Sequence, residues 1–474
     1  MAVPHTSSYL QNPSAVVRWR IVPAVLVAAQ LLGCGAAESP SGPGPAVIVT
    51  PADYTFTALG DTVRFLAVMW DAGGDAVEVA TFDWWSSNED VATVDSAGLV
   101  TAVAPGLATI AAEARGLRGY ARLAVELSPT VSAGWTHNCG ITIEGDTYCW
   151  GENESGQLGD GTTSARPTPV PVVGGLDFTA LSAGRQHTCG VTAVGDGYCW
   201  GFNRDGQLGD GTTTDRTVPV PVAGELDFVV LSAGERHTCG VTTGGTAYCW
   251  GLNATGQLGD GSRRNTAIPV PVSTEQSFVA VSASAGYTCA VTAGGAAYCW
   301  GDNSHGQLGD DSRDDRLTAV PVVGGLEFTT LSTGAGHTCG VATANRAFCW
   351  GLNIFGQLGV GSTTPWIVPV QVLRGLGFDA VSAGLGHTCA VTAGRNAYCW
   401  GDSREGQIGN GATTARLTPV LVTSGIRFSA VSAGASHTCG AATDGNAYCW
   451  GDNSYGQLGD GTTTDRITPA PVVW

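Results

Sequence analysis

The sequence repeats itself every 50 residues, and any fold of this chain has to accommodate that period. Tyr-Cys-Trp-Gly segments, or close variants of them, end at seven glycines: Gly151, Gly201, Gly251, Gly301, Gly351, Gly401 and Gly451. The copies follow one another without insertion, and the stretch from Leu181 to Val222 represents them. A fixed period of this length marks a repeat architecture in which each copy forms one structural unit.

Each copy has the pattern of four short β-strands. In the second copy these are FTALSAG, HTCGVT, GYCWG and VPVPV, which are rich in β-branched and aromatic residues and separated by glycine-rich turns. Four strands repeated seven times predict an all-β fold, a seven-bladed β-propeller. An open solenoid is the alternative, but its terminal repeats are normally altered. The last copy runs almost unaltered to Trp474, which favours a closed ring.

Two cysteines lie ten residues apart in every copy. The pairs are Cys139 with Cys149, Cys189 with Cys199, Cys239 with Cys249, Cys289 with Cys299, Cys339 with Cys349, Cys389 with Cys399, and Cys439 with Cys449. If Cys189 faces Cys199 across a hairpin, Gly190 faces Tyr198, so that a small residue lies under a large ring, as close cross-strand packing requires. Antiparallel neighbours are within disulfide range, whereas a zinc site normally has more closely spaced cysteines. We therefore predict seven disulfides and an oxidising compartment.

The motif G-x-x-H-T followed by Y-C-W-G-x-N-x-x-G-Q-L-G-D-G resembles the regulator of chromosome condensation repeat family. The resemblance covers residues 129–474 and implies a seven-bladed propeller over that range.

The N-terminus has the pattern of an export signal. Arg18 and Arg20 precede the apolar run from Ile21 to Leu32, which is short for a membrane span. The run ends in Leu31-Leu32-Gly33-Cys34, which resembles the lipobox of bacterial lipoproteins and implies a signal peptide at 1–33 and acylation of Cys34. An ordinary secretory signal is the alternative. Residues 34–45 are rich in Gly, Pro and Ser, which is typical of a flexible tether.

Residues 46–127 alternate in β fashion without the 50-residue period, which predicts a small β-sandwich. Its segments Val63–Trp70, Val91–Asp95, Leu99–Val103 and Ala121–Leu127 are expected to be strands. The run DWWSSNEDVATVDSAGLVTAVAPGLATI resembles the bacterial immunoglobulin-like domain, group 2. That resemblance implies a spacer or adhesion module, with Trp85 as the buried core aromatic and Gly98 and Gly106 as turn glycines.

The charge balance excludes several classes of partner. Only 13% of residues are charged, all 22 basic residues are arginine, and the formal net charge is −18. Such an acidic body is repelled by nucleic acid phosphates and by anionic lipid headgroups. We therefore expect no nucleic acid partner, and contact with a membrane only through a lipid on Cys34.

Two repeated polar sets could suggest metal or catalytic chemistry. The first is a histidine in six copies (His137, His187, His237, His337, His387 and His437), with Tyr287 in the fourth. A residue present once per blade is expected to belong to the hydrogen-bond network of the blade. The second set is the Asp of the Gly-Asp-Gly loop, which supplies too few oxygens for calcium and is explained as a turn. No nucleophile with a base and an orienting group stands out, so we expect neither a metal, a cofactor nor an enzymatic activity.

The positions at which the copies differ are better candidates for function than those they share, since shared positions build the scaffold. Exposed aromatic and arginine side chains are the usual anchors of protein interfaces. The candidate binding residues on the variable loops are Trp135, Arg185, Arg236, Phe202, Phe355 and Trp366.

We therefore predict a lipoprotein of the cell envelope that acts as a non-enzymatic binding or adhesion scaffold for an extracellular protein or glycan. A guanine-nucleotide-exchange regulator, like the eukaryotic namesake of the repeat, is one alternative. The predicted export, the cysteine pairs and the acidic balance argue against it. An extracellular hydrolase or lyase on a propeller is the other alternative, and it lacks a candidate site.

Overall fold

The computed structural model describes residues 44–56, 60–79, 81–104, 106–125, 128–373 and 375–474. Apart from one short 3₁₀ turn, its regular elements are β-strands, which confirms the predicted all-β class. Cys34, the signal peptide predicted at 1–33 and the tether as far as residue 43 lie outside the described residues. The part of the chain that the structure describes contains no helix with the length and hydrophobicity of a membrane span.

The first ten strands form a small sandwich of three sheets, ordered β1-β4-β5, β2-β10-β9-β6 and β3-β8-β7. The strands are β1 (Ala46–Thr50), β2 (Asp53–Phe56), β3 (Thr62–Arg64), β4 (Leu66–Trp70), β5 (Ala76–Val77), β6 (Asp83–Ser86), β7 (Ala92–Val94), β8 (Leu99–Ala102), β9 (Gly106–Ala114) and β10 (Leu117–Val125).

The sandwich core differs from the prediction in two respects. The segment Val63–Trp70 is not one strand, because Phe65 separates β3 from β4 and the two strands join different sheets. Phe65 is fully buried and belongs to the core of the sandwich. Trp85, predicted to be the core aromatic, instead lies under the guanidinium of Arg118, 5.1 Å from its ring centroid, while the preceding Trp84 packs against the core. Neighbouring residues of a strand point to opposite sides, so only one of the two tryptophans can face inward.

Gly98 and Gly106 both have positive φ angles, 78° and 149°. At Gly98 an added Cβ would lie 2.5 Å from the carbonyl oxygen of Phe65, so the turn before β8 requires glycine there.

The remaining strands form seven antiparallel sheets of four strands, each in sequence order, which are the predicted blades. Blades 1 to 4 contain β11 (Thr130–Ala133), β12 (His137–Ile141), β13 (Thr147–Gly151) and β14 (Arg166–Pro171); β15 (Phe178–Ala183), β16 (His187–Thr192), β17 (Gly197–Gly201) and β18 (Arg216–Pro221); β19 (Phe228–Ala233), β20 (His237–Thr242), β21 (Ala247–Gly251) and β22 (Thr266–Pro271); and β23 (Phe278–Ala283), β24 (Tyr287–Thr292), β25 (Ala297–Gly301) and β26 (Arg316–Pro321).

Blades 5 to 7 continue the same order, with a 3₁₀ turn at Thr343–Asn345 in blade 5. Their strands are β27 (Phe328–Thr333), β28 (His337–Ala342), β29 (Arg346–Gly351) and β30 (Trp366–Gln371); β31 (Phe378–Ala383), β32 (His387–Thr392), β33 (Ala397–Gly401) and β34 (Arg416–Leu421); and β35 (Phe428–Ala433), β36 (His437–Ala442), β37 (Ala447–Gly451) and β38 (Arg466–Pro471).

The predicted register of the second and third strands is confirmed. Cys189 faces Cys199, and Gly190 faces Tyr198. The glycine that ends each third strand lies at a register shift, as at Gly201, where φ is 103° and a Cβ would lie 2.5 Å from the carbonyl oxygen of Gln186.

The seven predicted disulfides are all present, one in each blade, and each links the second strand to the third with a Cα–Cα distance of 4.0–4.1 Å. All fourteen of these cysteines are fully buried, so the bridges belong to the core of the propeller. The bonded pairs are Cys139 with Cys149, Cys189 with Cys199, Cys239 with Cys249, Cys289 with Cys299, Cys339 with Cys349, Cys389 with Cys399, and Cys439 with Cys449.

Neighbouring blades pack through a tryptophan of one blade and the disulfide of the blade before it. Trp250 of blade 3, for example, is fully buried in a cluster with Cys189, Cys199 and Leu208 of blade 2. The seven tryptophans at this position are all fully buried, as predicted for core residues: Trp150, Trp200, Trp250, Trp300, Trp350, Trp400 and Trp450. Burying about 200 Å² of ring contributes roughly 5 kcal/mol at each seam as an upper estimate.

The ring closes between blades 7 and 1 with the same contacts. Trp150 of blade 1 packs against Cys439, Cys449 and Leu458 of blade 7, and the C-terminal Trp474 joins this cluster. The backbone N–H of Ala133 in blade 1 donates to Ser432 Oγ in blade 7 at 2.9 Å. The equivalent bond is present at each of the six other junctions between blades. The prediction of a closed ring over an open solenoid is therefore confirmed.

Because each blade is an antiparallel meander, its connections alternate between two ends. We call the variable face the end formed by the loops after the first and third strands, such as residues 184–186 and 202–215. The sandwich contacts the opposite end, where Ile143 of blade 1 packs against the sandwich core. The other six copies have only Ala or Thr at this position. The chain thus has an apolar residue at the point where the sandwich contacts the propeller. This contact leaves the variable face uncovered by the sandwich.

We predict that replacing both Cys239 and Cys249 by alanine lowers the free energy of unfolding by roughly 2–3 kcal/mol, because it removes the loop closure from the unfolded chain. The measurement is chemical denaturation of the variant and the parent protein without reductant. The replacement Val194→Ala, on an exposed turn of blade 2, is the matched control and should leave stability unchanged. Equal stability of the double variant and the parent would contradict a stabilising role for the bridge.

Candidate functional site

The repeated histidines form a buried belt between blades. Each Nε2 lies 2.8–2.9 Å from a hydroxyl of the next blade, in the pairs His137–Thr188, His187–Thr238, His237–Thr288, His337–Thr388 and His387–Thr438. His437 closes the belt on Asn138 Oδ1 at 2.8 Å. Tyr287, which replaces the histidine in blade 4, donates its hydroxyl to the carbonyl oxygen of His337 at 2.6 Å. The prediction of a structural network is confirmed, with the difference that these bonds join neighbouring blades.

The partners of the belt determine the protonation of the rings. Thr188 donates its own hydroxyl hydrogen to the carbonyl oxygen of Gln157, so its oxygen accepts from the Nε2–H of His137. Asn138 Oδ1 is an acceptor only, and it requires the same form of His437. Each histidine is therefore neutral with its proton on Nε2, and Nδ1 has no hydrogen-bond partner among the described residues.

Burial keeps these rings neutral. Loss of hydration lowers the pKa of five of the histidines to about 3 and that of His437 to about 4. With no exposed surface, they cannot reach a substrate. The belt is thus part of the scaffold.

The Gly-Asp-Gly loops are also structural. Asp160 accepts from Asn153 and Thr162 and forms an ion pair with Arg166 at 3.1 Å. The equivalent ion pairs occur at 2.7 Å in three further blades, as Asp210–Arg216, Asp310–Arg316 and Asp460–Arg466. Desolvation opposes ionisation, but the hydrogen bonds and the arginine prevail and lower the pKa of each of these carboxyls. The loop Asp is therefore the anchor of its own turn.

Four of the six predicted binding residues meet on the variable face of blades 1 to 3. The guanidinium of Arg185 lies over the ring of Trp135, 4.6 Å from its centroid, and pairs with Glu235. Arg236 pairs with Asp205 at 2.6 Å and lies 5.9 Å from the centroid of Phe202. These four residues and the two carboxylates that pair with them form what we call the arginine–aromatic cluster: Trp135, Arg185, Phe202, Asp205, Glu235 and Arg236. Next to it is a cavity of about 230 Å³ lined by five residues: Arg185, Gln186, Phe202, Glu235 and Arg236.

The other two predicted residues lie elsewhere on the same face, in blade 5. Phe355 packs against the backbone of Gly386, where an added Cβ would be 3.1 Å from the ring. The guanidinium of Arg404 lies 4.8 Å from the ring centroid of Phe355. Trp366 begins the outer strand β30 and is 42% exposed. The six residues therefore do not form one site.

Sequence reasoning missed the carboxylate that completes the cluster. Asp205 varies between copies, as Ser155 and Thr255 show, but an acidic residue beside Arg204 gave no reason to pair it with Arg236 of the next blade. The spacing within the repeat could have revealed this pair. The residues just after the loop asparagine of one blade, such as Asn203, contact the residues that follow the innermost strand of the next blade. The contacts of Thr255 with Gly286 and of His305 with Gly336 obey the same rule.

The axis of the ring holds a cavity of about 170 Å³, lined by the innermost strands of all seven blades. Its walls are Ser, Ala, Gly and Thr, together with Trp135 and Leu385 at the variable face. The serines already bond to the neighbouring blades. Within the described residues no group of three or more His, Cys, Asp or Glu side chains is arranged to hold a metal ion.

Family models cover nearly all of the described chain. The RCC1-like domain matches residues 222–473, and two forms of the regulator of chromosome condensation (RCC1) repeat match residues 144–191 and 195–241, and 130–157 and 178–207. The bacterial Ig-like domain (group 2) matches residues 66–115. No curated protein sequence matches the chain.

Several solved structures are similar in fold. Yeast RCC1 (Prp20), solved with Kap60 bound, superposes with a TM-score of 0.62 at 20% identity, covering 69% of this chain and 84% of that one. Prp20p from Saccharomyces cerevisiae, described with its binding to Gsp1p and histones, gives 0.63 at 22% identity, covering 69% and 86%. Human WBSCR16 gives 0.61 at 20% identity, covering 77% and 99%. At these identities the similarity concerns the fold.

We predict that the propeller loses thermal stability as the pH falls from about 6.5 towards 4.5. The unfolded histidines bind protons below their ordinary pKa of about 6.5, whereas the buried ones, with a pKa of about 3, do not. Each histidine therefore costs about 1.4 kcal/mol of stability per pH unit in this window. The loop carboxyls, whose pKa values lie below 3.8, contribute only at lower pH.

The measurement is the Tm by calorimetry between pH 8 and 4.5. The matched variant is His187→Tyr, which copies the tyrosine of blade 4 and should reduce the pH dependence by one sixth. A Tm that does not change over this range would contradict the neutral belt.

Proposed function

Because this chain belongs to the RCC1-like domain family, we propose that it is a non-enzymatic binding scaffold that captures a protein or glycan partner on its variable face. The observation that carries this proposal is the contrast between seams and loops. The seams repeat nearly the same residues around the ring, whereas the loops of the variable face place a different set of side chains in each blade. A rigid ring that holds dissimilar loops side by side is suited to recognition.

The position of the sandwich supports the choice of face. Ile143 contacts the sandwich from the end opposite the variable loops. The variable face is thus open to a large partner, and the arginine–aromatic cluster supplies the residue types that dominate interface energies.

The absence of enzymatic activity is part of this proposal. The repeated histidines are buried and neutral, the cysteines of the blades are bonded to each other, and the loop carboxylates are held by arginine. Each of these groups therefore has a role in the scaffold, and a partner that binds to the variable face does not reach them.

We place the protein outside the cytosol, on the bacterial cell envelope. A bacterial Ig-like domain and seven disulfides are consistent with an extracellular protein. A lipid on Cys34 would hold it at the membrane, and the short tether that follows would let the sandwich act as a spacer.

We predict that the double variant Arg185→Ala with Phe202→Ala abolishes capture of the partner without lowering the Tm. The bait is the chain from residue 34 onward with Cys34→Ser, incubated with its native cell envelope and with neighbouring cells. Both residues lie at the surface of the cavity, so their loss removes contact area while the seams stay intact. Val194→Ala, exposed on the opposite face, is the matched control and should capture normally.

Capture that persists in the double variant would refute this part of the variable face as the binding surface. Turnover of a polysaccharide or peptide substrate by the purified protein would refute the non-enzymatic role.

We predict that the protein incorporates radiolabelled palmitate in cells and fractionates with membranes. The change Cys34→Ser should abolish both the label and the membrane association, since the lipid is the proposed anchor. Secretion of the unlabelled wild-type protein into the medium would instead indicate an ordinary signal peptide.

A further inference from the structure

Blade 5 differs from all other blades in having an uncharged variable loop. There is no charged residue between Arg346 and Arg374, whereas the equivalent stretch of every other blade contains at least three. The loop and the first two residues of β30 carry apolar residues. They are Leu352, Ile354, Phe355, Val360, Trp366 and Ile367, which we call the blade-5 patch.

The change is concerted, which distinguishes it from scattered drift. Four blades join the loop Asp to the first residue of the outer strand by an ion pair of 2.7–3.1 Å. In blade 5 both members are replaced at once, by Val360 and Trp366. Blades 3 and 6 have lost only one member and kept polar replacements, Thr266 and Asn410.

Packing within the propeller accounts for Val360, which contacts a core cluster, and for Ile367, which lies against Gly306 of blade 4, but not for Ile354 and Trp366. Asn353 holds the loop in the usual way, donating to the carbonyl oxygens of Ser362 at 2.9 Å and Thr364 at 2.8 Å. Ile354 at the start of this loop is 58% exposed, and Trp366 at its end is 42% exposed. Exposed apolar residues at both ends of one uncharged loop make that loop a candidate interaction surface.

Neighbouring blades extend the patch. His305 of blade 4 and Leu352 both lie against Gly336, where an added Cβ would be 3.2 and 3.4 Å from them. On the other side Arg404 covers Phe355 and is itself held by Asp402 at 2.7 Å. His305 and Arg404 thus border the blade-5 patch, at Leu352 and at Phe355 respectively.

The net charge of the protein indicates which kind of partner can bind to the blade-5 patch. A second copy of the chain, with a net charge of −18, and an anionic membrane are both repelled by a body of this charge. The loop of blade 4 next to the patch adds Asp302, Asp311 and Asp314, none of which forms an ion pair with another described residue. An apolar segment with basic residues beside it meets neither obstacle.

We infer that the blade-5 patch is the docking surface for an apolar segment of a partner protein that carries Lys or Arg next to its apolar anchors. This inference rests on the proposed function and names the partner class and the place of contact. The apolar anchors cover Ile354 and Trp366, and the flanking cations face the acidic loop of blade 4.

The test exchanges blade 5 for blade 7 at four positions. The variant Ile354→Ser/Phe355→Tyr/Val360→Asp/Trp366→Arg takes each residue from the equivalent place in blade 7 and restores the ion pair seen there. It leaves the net charge unchanged. The reverse variant, Ser454→Ile/Tyr455→Phe/Asp460→Val/Arg466→Trp, builds a second patch on blade 7.

The probes are fluorescent 12-residue peptides of alternating Leu and Lys, with Leu/Glu and Ser/Lys peptides as controls, and the readout is anisotropy. We expect the Leu/Lys peptide to bind at least about tenfold more tightly than either control, and the blade-5 variant to lose about tenfold or more of that affinity. The reverse variant should bind more peptide than the parent. An unchanged affinity in the blade-5 variant, at an unchanged Tm, would overturn the inference.

Other results identify a different occupant and also overturn it. One is concentration-dependent dimerisation in sedimentation that the blade-5 variant abolishes. Another is flotation with vesicles of phosphatidylethanolamine and phosphatidylglycerol that the same variant abolishes. If the blade-5 variant still captures the native partner while the double variant at Arg185 and Phe202 does not, the inference fails and the proposed function stands. If no variant of the variable face affects capture, the proposed function itself fails.

Discussion

The ring depends on one backbone carbonyl at each seam between blades. The carbonyl oxygen of Gln207 accepts from the hydroxyl of Thr238 and from the indole of Trp250, both of the next blade, at 2.8 and 2.9 Å. Thr238 in turn accepts from His187 of the same blade as Gln207. All of these groups are buried, so losing one partner leaves the others unsatisfied, at a cost of about 1–3 kcal/mol each. The seam therefore tolerates few residue types, which explains why the copies are so similar there.

Two departures from the repeat show how strict this requirement is. At the closing seam Asn138 stands in place of threonine, and it keeps both bonds by accepting from His437 through Oδ1 and donating to Gln457 through Nδ2. In blade 4, Tyr287 replaces the histidine, and Ser284 replaces the glycine that elsewhere makes room for the imidazole. At Gly434, for example, an added Cβ would lie 2.5 Å from the ring of His437. Substitutions at the seam thus occur only where the lost contact is restored.

Most of the fold could be predicted from the sequence because the repeat supplies seven independent readings of one pattern. Alternation, cysteine spacing and the small residue opposite each Tyr or Phe determined the register, since an error of one residue would have turned every side chain to the other face. The sandwich occurs only once, so its pattern cannot be checked against other copies. The sequence predicts Trp85 as its core aromatic, whereas Trp84 and Phe65 are the aromatic residues that pack there. The site was predicted less well, because Asp205 and Arg236 are neighbours only across a seam.

The same division between seam and loop limits what similarity of fold implies about function. Structures that share about 20% of their residues with this chain share the ring, and the ring is what the seams specify. The seams do not specify which residues stand on the variable loops, so recognition has to be argued from the loops themselves. On this face Arg185 and Arg236 are already paired with carboxylates, and the loop of blade 5 itself contains no charged residue. Close contact therefore draws its energy from desolvation of aromatic and aliphatic side chains, while the net charge of −18 acts at a distance, on the rate and orientation of the approach.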